Sequence, residues 1–135
     1  MRILGIDWGE KQVGLSISEG FLANEYMTLK VKNIDETIEE IKEICEDETI
    51  GKIVIGLPVS LDRQEHAQAK IVKDFAQKLK EKTNCEIILE DETLTTFEAE
   101  DILKSEGATP DEMKELVDRF SAKLILQQYL ERQAK

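Results

Sequence analysis

The sequence predicts a mixed α/β sheet of five strands, three antiparallel and then two parallel, with helices on both faces. Three observations predict it. The first 31 residues hold three short apolar segments so close together that only tight turns fit between them. Beyond them the hydrophobic period lengthens to that of amphipathic helices. Two nearly pure apolar runs, "KIVIG" and "CEIILED", then alternate with those helices, as parallel strands buried on both faces do.

Residues 2–7 and 13–18 read as strands joined by a glycine-containing turn, and "EYMTLKV" (25–31) as a third, which makes an antiparallel meander. Ile34, Ile38, Ile41 and Cys45 fall at helical spacing, so 35–48 is an amphipathic helix with a solvated acidic face. The fourth strand, 52–56, ends in "LPVSLDRQEH", a loop in which Pro58 forbids further regular pairing. A second helix over 64–81 carries the stripe Val72, Phe75, Ala76 and Leu79, and residues 85–91 form the fifth strand. Thr95 with Glu98 makes a capping box for a helix through Lys104, closed near Gly107. In "TPDE", Thr109 is the N-cap, Pro110 the first helical residue and Glu112 the third, opening a helix that runs to the end of the sequence. Right-handed crossovers place strands one, four and five parallel. Their C-terminal ends then point one way, and that is the end at which open α/β sheets bind ligands.

At 135 residues the expectation is one domain, 1–135. No apolar run approaches the ~18 residues of a membrane span. The first residues form a strand without a charged n-region or cleavage site, so no signal peptide is expected and the cytoplasm is the expected location. Cys45 and Cys85 form no C-x-x-C pair and have no nearby histidine, which argues for two buried thiols rather than zinc or a disulfide framework. The net charge of −11 stands against a nucleic-acid partner unless the charges segregate. Lysines do cluster, at Lys70, Lys73, Lys78, Lys80 and Lys82 and at Lys114, Arg119 and Lys123.

Strand one ends at Asp7, strand five at Asp91 and Glu92, and the last helix carries Asp118 two turns in. Ser121 and Ala122, small residues about one turn on, allow that helix to approach the sheet and bring Asp118 to the strand ends. Taken singly, each acid has a plainer reading: a turn residue at Asp7, a loop lead-in at Asp91 and Glu92, a surface partner of Lys114 or Arg119 at Asp118. Together they would repel unless a cation sat between them. Magnesium or manganese, which favour oxygen ligands, suit such a site, and a pair of such ions supports phosphodiester cleavage.

Four ordered blocks, "ILGIDWGEKQVGLSIS", "IVIGLPVSLDRQE", "EDETLTTFEAE" and "VDRFSAKLILQQYL", resemble the YqgF (RuvX) family. These are RNase H-like proteins described as nucleases for the 16S rRNA precursor and related to RuvC Holliday junction resolvases. The resemblance implies an RNase H-like fold and a magnesium- or manganese-dependent nuclease centre. It matches Asp7 to the strand-one acid, Glu92 or its neighbour Asp91 to the acid pair before "LTT", and Asp118 to the acid of the final helix. Glu92 is the favoured member of its pair. Asp62 matches a further family acid, as an outer-sphere or substrate contact; Lys11, Thr95 and Thr96, in the matching blocks, are candidate substrate contacts, and Arg63 is a further one proposed on its charge alone.

The sequence departs from the family pattern at Gln12 and Thr93, each standing where an arginine is usual, and at Arg63 and His66, in a loop usually rich in glycine. An arginine fork binds phosphate bidentately, and neither Gln nor Thr carries its charge. Arg63 is the candidate to replace part of it. His66 reads as an exposed loop histidine rather than a proton carrier. Trp8 reads equally as a base-stacking surface or as packing over the turn.

The leading expectation is a metal-dependent endonuclease acting on structured RNA, with the 16S rRNA precursor the family-implied substrate, by hydrolysis without a covalent intermediate. A junction resolvase acting on branched DNA would use the same acids and would need a homodimer rather than a monomer to present two centres. A non-catalytic nucleic-acid-binding or assembly module would fit the missing arginines. An actin-like nucleotide site would need a second domain, and no Walker A sequence is present.

Overall fold

The computed structural model describes residues 1–58, 63–92 and 95–134, with the side chains of all these except 58, 63–66, 92, 95–99, 114 and 115. The element order is β1 (Arg2–Asp7), β2 (Gln12–Ser18), β3 (Ala23–Lys30), α1 (Ile34–Asp47), β4 (Ile50–Pro58), α2 (Arg63–Lys82), β5 (Glu86–Glu92), α3 (Thr95–Ser105) and α4 (Pro110–Gln133). The sheet order is β3-β2-β1-β4-β5. β1–β2 and β2–β3 pair antiparallel, β1–β4 and β4–β5 parallel, as the sequence predicts. Among the described residues, no helix is long and apolar enough to cross a membrane.

The strand alternation sorts side chains between two cores. Leu4, Ile6, Val13, Leu15, Ile53 and Ile55 face α1 and α2, where Ile38, Ile41, Cys45, Val72, Phe75, Ala76 and Leu79 meet them. Ile3, Val54 and Ile88 face the opposite way, toward Ile125, Leu126, Tyr129 and Leu130 of α4. α3 packs on α4 through Leu103 and Phe120. The acidic side of α1 lies in solvent, with Asp35, Glu36, Glu39 and Glu40 exposed or nearly so.

Two differences from the sequence reading bear on the site. β4 continues through Pro58, which pairs with Glu92. Proline at the last strand position forfeits one N–H where the ladder is ending anyway, so it terminates pairing rather than preventing it. α2 begins at Arg63, so Arg63 and His66 belong to a helix and not to the loop. Arg63, Gln64 and Glu65 form helix well but hold no apolar member to show a stripe.

The cap of α4 is as read: Thr109 Oγ1 accepts from the Glu112 N–H at 3.2 Å, and the Glu112 carboxylate accepts from the Thr109 N–H at 3.2 Å. Gly107, at φ +87°, closes α3, its N–H bonded to the Lys104 carbonyl and the Ala108 N–H to that of Leu103. This is a Schellman-type stop in the left-handed region that glycine enters freely.

α4 lies unusually close to the sheet because the strand residues beneath it are small. A Cβ at Gly5 would come within 2.9 Å of Leu126 Cβ and 3.1 Å of the Ala122 carbonyl. The Ser16 hydroxyl donates to that same carbonyl at 2.7 Å. A Cβ at Gly14 would come within 2.6 Å of the Arg119 nitrogen and closer still to the Asp118 carbonyl. These obstacles are backbone, which cannot rotate aside. Gly14→Ala is therefore expected to lower stability by about 2–3 kcal/mol, measured by urea unfolding; an unchanged midpoint would mean that α4 is free to lift.

Candidate functional site

The C-terminal ends of β1, β4 and β5 lie together, since the three strands are parallel neighbours. Asp7 ends β1 and pairs directly with Gly14 of β2, and residues so paired have Cα atoms roughly 4.5–5.5 Å apart. The backbone of Asp118 rests on the same Gly14. Asp7 and Asp118 thus flank one glycine, the first across the ladder and the second above it. Asp7 has the parity of Ile3 and Gly5, the β1 residues that face α4.

Asp118 is half-buried, and burial pushes its carboxyl above the usual carboxylate range. Among the described residues, no lysine or arginine pairs with it. Two buried hydroxyls near it also lack partners among the described residues: Ser121 Oγ on the next turn of α4, and Thr28 Oγ1 on the strand residue paired with Gly14. An acid held this way is destabilised as an anion until a cation approaches. A donor set made only of oxygen fits a hard divalent cation.

β5 ends at the same edge. Asp91 is exposed, and its carbonyl accepts from Gln128 Nε2 at 2.9 Å. The Glu92 side chain lies outside the described residues, as do Asp62 and Thr93 and the side chains of Arg63, His66, Thr95 and Thr96. Thr95 and Thr96 open α3 and Arg63 opens α2, while Lys11 is exposed in the β1–β2 turn. Among the described residues, no three His, Cys, Asp or Glu side chains gather closely enough to hold an ion. Trp8 packs on Phe75 with ring centroids 4.5 Å apart, which makes it part of the core on the α2 side.

One residue of this end escapes the sequence reading. Glu90 is 3% exposed; its carboxylate accepts from Gln128 Nε2 at 2.7 Å and from Arg132. Because Gln128 also holds the Asp91 carbonyl, this clamp about a buried carboxylate ties the tip of β5 to α4. Its partners stand 38 and 42 residues away, so no local pattern announces it.

The family model RuvX, described as Holliday junction resolvase, matches residues 1–132. The chain belongs to the RuvX family. Relatives named "Putative pre-16S rRNA nuclease" include one from Syntrophus aciditrophicus, 40% identical over 97% of this chain and 89% of its own. Another, from Thermosynechococcus vestitus, is 36% identical over 97% of this chain and 88% of its own. A third, from Clostridium botulinum, is 36% identical over the full length of both. Among solved structures, Thermus thermophilus RuvC in complex with a Holliday junction substrate matches with a TM-score of 0.61 at 12% identity, covering 99% of this chain and 96% of that one. The fowlpox virus Holliday junction resolvase matches with a TM-score of 0.62 at 13% identity, covering 98% and 99%. This RuvX chain therefore has the RNase H-like fold of the RuvC-type resolvases, as the sequence predicts.

The raised carboxyl of Asp118 has a consequence for stability. The native acid holds its proton more tightly than the unfolded one, so the native state loses stability as pH rises above the unfolded value near 4, and the deficit persists at neutral pH. Asp118→Asn removes it. With chelator present, the variant is expected to melt above wild type at pH 7, the gap closing as pH falls below about 4. A variant that melts lower at pH 7 would mean the carboxylate is already compensated.

Proposed function

We propose that this chain is a single-domain, cytoplasmic, divalent-metal-dependent endonuclease that acts on the 16S rRNA precursor, with Asp7, Asp118 and Glu92 as its ligand acids. The observation that carries this reading is the seating of Asp118 on Gly14, directly opposite Asp7, at the end of the sheet where parallel strands present ligands. The relatives' shared name supplies the substrate. Position 92 has the strand parity of Ile88 and Glu90, which face α4; position 91 does not, and Asp91 stands exposed. That alternation favours Glu92 over Asp91 as the third acid.

Magnesium or manganese bound between these acids would supply Lewis acidity toward the scissile phosphate and toward water. The chain's own part is positional. Asp7 is fixed on the central part of the sheet, Asp118 is fixed by the small-residue contact beneath α4, and the Glu90 clamp holds the tip of β5. Lys11, Arg63, Thr95 and Thr96 sit at the starts or turns of elements entering this edge, where they would hold phosphate oxygens. The reaction is hydrolysis, with water as the nucleophile.

The test is cleavage of rRNA-precursor RNA and of a four-way DNA junction, with and without magnesium or manganese. Wild type should cut the RNA only with metal, and Asp7→Asn and Asp118→Asn should each lose at least about 100-fold in rate. Preferential junction cutting by a dimer would replace the substrate assignment with branched DNA. Binding without cutting of either would leave a non-catalytic module.

Arg63 replaces part of the charge missing at Gln12 and Thr93. Arg63→Ala should weaken RNA binding and lower the slope of log K against log salt by about 0.7–0.9, one phosphate contact. A slope equal to that of wild type would remove Arg63 from the interface.

A further inference from the structure

At the other end of the sheet the two cysteines meet. Cys45 lies in the last turns of α1, and Cys85 immediately precedes β5, 40 residues further along the chain. Both line one cavity of about 270 Å³, together with Met1, Lys42, Glu46 and Lys82. The Cys85 thiol donates to the Ile50 carbonyl at 3.2 Å, and Cys85 packs against the core cluster that contains Cys45. The expectation of two buried thiols holds for Cys45 only; Cys85 is partly exposed. The two cysteines therefore differ in access while lining the same cavity.

We propose that Cys45 and Cys85 are a thiol pair that peroxide converts into an intramolecular disulfide, with Cys85 the sulfur oxidised first and Cys45 the resolving one. Access sets the order. Cys85 can be reached from solvent through the cavity, whereas Cys45 is buried. Cys45 is poorly suited to go first, since burial, and then its contact with Cys85, push its thiol up to about 12.

In the first step the Cys85 sulfur attacks one peroxide oxygen. The O–O bond breaks, a sulfenic acid forms, and the other oxygen leaves as water with the thiol proton. In the second, the Cys45 sulfur attacks the Cys85 sulfur. The S–O bond breaks, the S–S bond forms, and the hydroxyl leaves as a second water with the Cys45 proton. Two electrons pass from the thiol pair to the peroxide, and a thiol reductant reverses the change. The bond would join α1 to the start of β5, far from the acids.

The experiment treats the folded wild-type chain with hydrogen peroxide, blocks the remaining thiols by alkylation in denaturant, and maps the peptides by mass. The expected result is loss of both thiols together and a Cys45–Cys85 peptide that dithiothreitol reverses, with a melting temperature higher by roughly 5–10 °C. In Cys45→Ala, peroxide should leave a Cys85 sulfenic acid that a dimedone probe captures. Sulfinic or sulfonic Cys85 with Cys45 still free in wild type, a disulfide between two chains, or two unmodified thiols would each overturn the proposal.

Discussion

The close contact between α4 and the strands beneath it is the constraint on which the rest depends. Helices usually ride on a sheet over a full layer of side chains. Here Gly5, Gly14 and Ser16 remove much of that layer, and the Ser16 hydroxyl bonds to the Ala122 carbonyl of the helix itself. Nothing large separates the helix backbone from β1 and β2, so a residue on α4 becomes a neighbour of a residue at the end of β1. The Asp7–Asp118 juxtaposition follows from small side chains, not from any attraction between the acids, which would repel. The two hydroxyls without partners among the described residues and the desolvated Asp118 carboxyl are what this tight layer costs.

Much of this was legible in the sequence. The period change near residue 34, the Thr109–Pro110–Glu112 cap and the apolar runs of β4 and β5 are local signals, and local physics set those elements. Ser121 and Ala122 in the sequence foretell the close approach, although the glycine that receives the helix, Gly14, read only as part of a strand. The family blocks added the RNase H-like fold, which pattern alone left as a mixed sheet.

What was illegible depends on pairing across distance. Glu90 looks like one acid among several at the end of a strand, and only the fold supplies Gln128 and Arg132 to it. Cys45 and Cys85 look like separate buried thiols because nothing in their neighbourhoods shows that the end of α1 and the start of β5 are adjacent. Trp8, beside an acid in a turn, reads equally as a stacking surface or as packing, and only Phe75 of α2 against it decides for packing. The start of α2 falls within one residue of the sequence reading, but its first turn is polar throughout and shows no face, so Arg63 and His66 read as loop.

The capping box at Thr109 has a consequence for how this chain can change length. It fixes where α4 starts, and the small-residue seam against Asp118, Ala122 and Leu126 fixes how α4 is turned about its axis further along. Each helical residue advances the azimuth by about 100°. A single insertion or deletion between Thr109 and Asp118 would swing the acid away from β1 while leaving cap, helix and composition intact. The spacing between these two residues is thus a phase as well as a length, and a change that shifts that phase would move Asp118 off its seat on Gly14 while the cap still forms.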